Sequence, residues 1–187
     1  EAPALLGAVR QHGAWLIKNG RAADALQFWQ DELARHDAGI DRAAPAYLKL
    51  RWEIARVLLQ LERTAEAVPA LTAVLADHEQ MPPSAERDEN SEVMRFSLGR
   101  ALQMAGQHEQ AEPHLARARA WIEEHQPKAT GQALDVRIWH GRCLIDLQRE
   151  DEARSCLEAV QRLLAGREDD PRLVRVNEWL AELDSER

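Results

Sequence analysis

The sequence predicts an all-α protein made of four copies of one helix pair, closed by a single terminal helix. Three observations predict it. A small residue recurs at Gly13, Ala55, Gly99 and Gly141, at intervals of 42, 44 and 42 residues. A leucine follows three residues later (Leu16, Leu58, Leu102, Leu144), an alanine after twelve (Ala25, Ala67, Ala111, Ala153) and a large apolar residue after sixteen (Trp29, Leu71, Leu115, Leu157). The third copy also shows the unit plainly: Leu98, Leu102 and Ala105 form one helical stripe, Gly106 stops it, and Ala111, Leu115 and Ala118 begin another. Two helices approach closely only where a side chain is nearly absent, so the small column marks a crossing.

Taken in order, the first helix opens at Pro3 and ends at Asn19-Gly20, and its partner starts near Arg21 with Ala25, Phe28, Trp29 and Leu33 on its apolar face. Residues 37–45, containing Gly39, read as a polar link. The second pair covers 45–61 and 64–78, with Thr64 as its N-cap. Residues 79–92, with Pro82-Pro83 and many charges, read as a loop, or as a loop entering a helix early at Ser84. The third pair covers 90–105 and 108–125 and ends at His125-Gln126-Pro127, because the residue before proline avoids the helix. The fourth covers 130–147 and 150–165 and is closed by Gly166. Residues 171–184 repeat nothing. Asp170 caps, Pro171 opens, and Leu173, Val176, Leu180 and Leu183 form one stripe beside Trp179, as expected of a helix that covers the last unit of an array.

The unit resembles the tetratricopeptide repeat: Leu98-Gly99-x2-Leu102 stands for its L-G-x2-Y and Ala111-x3-Leu115 for its A-x3-F. The resemblance covers residues 3–166, as repeats at about 3–36, 44–78, 88–125 and 130–166. It departs in period, 42–44 instead of 34, and in lacking a proline at the end of each unit. Periods in the forties also occur in HEAT and armadillo repeats, but the glycine-to-alanine spacing favours the tetratricopeptide form. The long version is similar to the repeats of kinesin light chain and of bacterial signalling proteins. The resemblance implies a right-handed α-solenoid of four helix pairs with the capping helix 171–184, a single array over residues 1–187.

Of 187 residues, 45% are hydrophobic and 30% charged, an ordinary folded composition, and the net charge is −8. An acidic chain without a basic face argues against nucleic acid as partner. No apolar run reaches the length of a membrane span. Cys143 and Cys156, both inside expected helices, read as reduced buried thiols of a cytoplasmic protein. The chain begins at Glu1 with no lid before Pro3, so the expectation is a piece of a longer protein, with the uncovered N-terminal edge as a surface for self-association.

No catalytic constellation, phosphate-binding loop or metal-ligand spacing stands out, and no enzyme activity, cofactor or metal is expected. His140 and Cys143, three apart on one helix, are the nearest to a dyad, but Cys143 is mid-helix and far from the helix N-terminus that would activate a thiol. The informative feature is a comparison of copies. Arg51, Arg95 and Arg137 form one column, and Arg56, Arg100 and Arg142 another, five residues further on. In tetratricopeptide arrays the first helix of each pair lines a concave groove. The resemblance places Trp52, Arg56, Leu59, Phe96, Arg100, Gln103, Ile138, Arg142 and Ile145 along it. An aromatic four residues before an arginine shares its helical face and can stack on it, as with Trp52–Arg56 and Phe96–Arg100. Such a ladder suits carboxylates. The same arginines could instead pair with Glu53, Glu92, Asp135 or Asp146 and hold helices together, and the sequence leaves both readings open. The column of Arg51, Arg95 and Arg137 points about 100° away and is expected to run along the helix packing.

Two functions fit. One is a non-enzymatic protein-protein interaction scaffold whose arginine/aromatic groove binds an acidic extended or helical peptide. The other is a regulatory or sensor segment of a larger bacterial signalling protein, a kinase or transcriptional regulator, acting by intramolecular contact, a small effector or self-association.

Overall fold

The computed structural model describes residues 2–36, 44–125 and 131–185. Among these there are nine α-helices and no strand. The chain forms two compact units, Glu1–Ala101 and Leu102–Arg187. The first contains α1 (Ala2–Lys18), α2 (Ala22–His36), α3 (Pro45–Gln60), α4 (Thr64–Glu79) and most of α5 (Ala85–Met104). The second contains the end of α5, then α6 (His108–His125), α7 (Gly131–Asp146), α8 (Glu150–Leu163) and α9 (Pro171–Ser185). In the first unit α1 packs on α2 and α3 on α4, with α3 also against α1 and α2. In the second α7 packs between α6 and α8, and α9 lies on α8 and α7. The expected links at 37–43 and 126–130, with Gly39 and the helix end at Pro127, lie outside the described residues.

The repeating columns are the core. Ala25, Ala67, Ala111 and Ala153, together with Trp29, Leu71, Leu115 and Leu157, have no solvent exposure at all. A Cβ added at Gly13 would lie 2.1–2.4 Å from the Trp29 indole, and one at Gly141 would lie 2.8 Å from Leu157 Cδ2. In the first and fourth copies the small residue therefore faces the large one sixteen positions on. The Trp29 ring is also fixed in place, because its Nε1 donates to the Val9 carbonyl at 2.9 Å. A large apolar side chain buried in this way contributes about 1.5–3 kcal/mol.

Each of four turns closes in one form. The residue seven after the small column is left-handed: Gly20 (φ 75°), Glu62 (58°), Gly106 (74°) and Gln148 (58°). The next N–H donates to the carbonyl five residues back, in Arg21→Leu16, Arg63→Leu58, Gln107→Leu102 and Arg149→Leu144, all at 2.9 Å. This is the Schellman arrangement, which satisfies carbonyls that a helix end leaves open. Glycine meets the backbone requirement in two copies, and Glu62 and Gln148 meet it against their own preference. Arg63 and not Thr64 is the N-cap of α4, without a side-chain capping bond. An arginine at this position instead pairs with an acid three residues on, in Arg21–Asp24 at 2.6 Å, Arg63–Glu66 at 2.7 Å and Arg149–Glu152 at 2.7 Å. The acid then sits in the first helical turn, where the helix dipole favours it.

Helix α5 begins at Ala85, about a turn before the expected start of the third pair, because Ser84 Oγ accepts the Arg87 N–H at 3.0 Å. At the C-terminus Asp170 accepts the Arg172 N–H at 3.0 Å, and the Arg172 guanidinium and N–H hold its carboxyl down to about 2. Leu173, Val176, Leu180 and Leu183 of α9 join Leu157, Val160 and Leu164 in one apolar cluster, with Trp179 half-buried against it.

Candidate functional site

The two arginine columns divide in their surroundings. In the first unit Arg95 of α5 is buried between Glu79 at the end of α4 and Glu92 of its own helix, the latter at 3.3 Å. In the second unit Arg137 of α7 reaches Glu123 at the end of α6 at 3.2 Å and donates to the Ala133 carbonyl at 3.1 Å. Glu79 and Glu123 each stand twelve residues after the alanine column, so the two contacts are one repeated clamp from the first helix of a unit to the second helix of the unit before. Arg51 pairs with Asp77 of α4 and lies over the Tyr47 ring at 5.5 Å. This column ties helices together through ion pairs, more than by the apolar run of its side chains.

The other column is uneven. Arg56 lies 5.0 Å above the Trp52 ring, with its side chain 52% exposed and Glu53 at 3.4 Å. Leu59, one turn further along α3, is buried in the helix packing. Phe96 and Arg100 of α5 are half-buried. In the second unit Arg142 is held from several sides: Asp146 at 2.7 Å, the Trp179 ring of α9 at 5.5 Å and Glu182 at 3.9 Å. Gln103 is buried and bonds to Asp146 and, at 2.8 Å, to His108. Ile138 is packed in the apolar cluster and 4% exposed, and Ile145 lies partly buried against it. Leu59, Gln103 and Ile138 thus sit within the packing, whereas Trp52 and Arg56 present a stacked cation to solvent. Spacing puts these residues on one helical face, but the terminal helix that covers Arg142 carries no repeat to announce what it covers.

The cysteines do not form a nucleophilic site. Cys143 donates to the His108 carbonyl at 3.4 Å, and burial pushes its thiol up to about 11. The thiol close to His140 is Cys156 of α8, Sγ to Nδ1 3.9 Å, and Arg119 of α6 donates to the same sulfur at 2.9 Å. Burial raises Cys156 as well, against the opposing pull of Arg119. His140 is pushed down to about 4, first by burial and then by Arg119, which together outweigh Glu112 at 3.6 Å. It is therefore a neutral, buried imidazole at neutral pH. Among the described residues no group of three His, Cys, Asp or Glu side chains is placed to hold a metal, and no helix is long and apolar enough to cross a membrane.

No protein-family model and no curated protein matches the sequence. Solved structures match the fold. A kinesin light chain from Podosopora anserina with nearly identical TPR-like repeats aligns over 98% of this chain and 87% of its own, with a TM-score of 0.76 at 21% identity. A Rap protein complexed with Competence and Sporulation Factor aligns over 94% of this chain at TM-score 0.69 and 15% identity, and this chain spans 47% of its length. YrrB, a TPR protein with an unusual peptide-binding site, aligns over 94% of this chain and 84% of its own, with TM-score 0.59 at 18% identity. The shared property at these identities is the fold, and the fold of this chain is the tetratricopeptide-like α-solenoid of helix pairs with a terminal helix.

Proposed function

We propose that the chain is a non-enzymatic protein-binding module that takes an acidic peptide along α3 and α5, the first helices of its second and third repeats. The observation that carries this reading is the Trp52–Arg56 stack on α3, a solvent-open guanidinium on an aromatic ring in a protein of net charge −8. A stacked guanidinium keeps its donor edge free for a carboxylate, and the ring offers apolar surface beside it. Arg100 on α5 is a second cation at the same repeat position. Arg142, already held by Asp146 and Trp179, belongs to the seat of the terminal helix. The peptide-binding site named for YrrB supports a peptide as the class of partner. The Rap match, in which this chain corresponds to 47% of the protein, favours a second setting for the same module, as one segment of a larger regulatory protein.

The test is an array of acidic, neutral and basic peptides probed with the full chain and with Arg56→Glu, Arg100→Glu and Arg142→Glu, each with a melting curve. Acidic peptides should bind, more weakly as salt rises because exposed charges are screened over about 8–10 Å. Arg56→Glu and Arg100→Glu should lose them with the melt retained, while Arg142→Glu lowers the melt. Acidic peptides bound equally by Arg56→Glu, Arg100→Glu and the unsubstituted chain refute the reading.

A further inference from the structure

Beside the Trp52–Arg56 stack the first unit contains a cavity of about 230 Å³, between the start of α3, the end of α4 and the first turns of α5. Trp52, Met81 and Met94 supply most of its apolar lining, and Lys49, Glu86, Arg87 and Asn90 are among its polar groups. Methionine side chains adapt to the shape of what they meet. A cavity of about 150 Å³ accepts a benzene ring, so this one has room for a phenyl or branched aliphatic side chain but not for a folded segment.

Its polar groups are unevenly satisfied. Arg87 is engaged, paired with Asp88 and donating to the Met81 carbonyl at 3.4 Å. His78 holds Ser91 at 3.1 Å, and burial, then Arg87 beside it, push its ring below the usual imidazole value against the opposing pull of Glu79. The Trp52 indole N–H is shielded from water and has no hydrogen-bond acceptor among the described residues. Lys49, exposed at the cavity, has no ion pair among them either. Both of these groups are donors, and one turn along α3 stands the open guanidinium of Arg56. Glu86 is the acidic residue of the lining, and it is exposed.

We infer that this cavity is the anchor pocket for one bulky apolar side chain of the acidic peptide, with the peptide's neighbouring carboxylate at Lys49 and its chain continuing to Arg56. The inference rests on the proposed peptide-binding function and adds the residue class the peptide must carry. An apolar side chain entering between Trp52, Met81 and Met94 sheds water against the indole ring and the two thioether chains. The donors fix the register: a carboxylate adjacent to the anchor, not a basic residue.

The probe is acetyl-Glu-Asp-Phe-Asp-Glu-amide, with versions carrying Ala for Phe and Asn for both Asp. The readout is the set of indole N–H resonances of the six tryptophans, with Trp52 assigned through Trp52→Phe. On titration the Trp52 resonance should shift furthest, because the anchor side chain packs against its ring. The Ala version of the probe, and Asn90→Trp, which fills the cavity, should each weaken binding by about tenfold or more. Lys49→Glu, an exposed substitution that leaves the packing intact, should weaken it most at low salt. If a folded Asn90→Trp or Lys49→Glu protein binds the probe as well as the original chain, or the Trp52 resonance stays still while others move, the pocket is overturned and peptide binding at Arg56 stands. If no acidic peptide binds at all, both fall.

Discussion

Replacing Gly13 by alanine tests the helix crossing on which the repeat is built. In an isolated helix the change is favourable, since alanine exceeds glycine by about 1 kcal/mol in a helix interior. Here the new methyl would stand 2.1 Å from Trp29 Cε2, 2.2 Å from Nε1 and 2.4 Å from Cζ2. Carbon atoms rest at about 3.5–4.0 Å, so the ring must withdraw by roughly 1.5 Å. That displacement is incompatible with the 2.9 Å bond from Trp29 Nε1 to the Val9 carbonyl. Overpacking costs about 1–3 kcal/mol, and the lost bond of a buried donor about 1–3 more. Set against the gain in propensity, the net is a loss of about 1–5 kcal/mol. Gly7→Ala is the control: it lies on the same helix, and a Cβ there meets nothing within 4 Å. It should stabilise by up to about 1 kcal/mol. Urea unfolding of both variants, followed by helical circular dichroism and by tryptophan emission, should thus show midpoints moving in opposite directions. A Gly13→Ala midpoint at or above that of the unsubstituted protein would refute the crossing.

The remaining predictions come from the turns, the clamp and the buried histidine. Gln148→Gly should stabilise by about 0.5–1 kcal/mol, because a non-glycine residue at φ 58° gives up about 1–2 kcal/mol of conformational preference and glycine loses part of that again in chain entropy; a lower urea midpoint would count against it. Arg95→Met takes the guanidinium from Glu79 and from the buried Glu92 and should cost about 3–5 kcal/mol, while Glu92→Gln placed on top of it should recover part of the loss in a double-mutant cycle. His140, pushed below its ordinary 6.5 to about 4, stays neutral in the folded chain while the unfolded chain takes up the proton first. Its contribution is present above pH 6.5 and is lost as pH falls toward 4, by about 3 kcal/mol at most. Urea midpoints between pH 7 and 4 should therefore fall less steeply for His140→Gln than for the unsubstituted chain, and parallel curves would exclude the residue as a source of acid sensitivity.

The helix pairs could be read from the sequence because each column states a local requirement that recurs at helical spacing. A methyl-sized side chain at Ala111 or Ala153, a leucine at Leu102 or Leu144 and the turn glycines Gly20 and Gly106 each carry their reason in their own chemistry. Glu62 and Gln148 do not: nothing in a glutamate or a glutamine announces a left-handed backbone, which the closure of the turn onto Leu58 and Leu144 imposes. For the arginines, spacing alone placed Arg56, Arg100 and Arg142 on equivalent faces, and the i, i+4 partner Asp146 was visible beside Arg142. Which carboxylate an arginine meets across helices depends on where a second helix ends, and so Glu79 and Glu123 emerged as partners of Arg95 and Arg137 only in the packed chain. The same holds for Trp179 over Arg142, for Cys156 rather than Cys143 beside His140, and for the cavity at Trp52. Periodicity records what one helix must bury, whereas charges and cavities belong to the space between helices, which only tertiary packing defines.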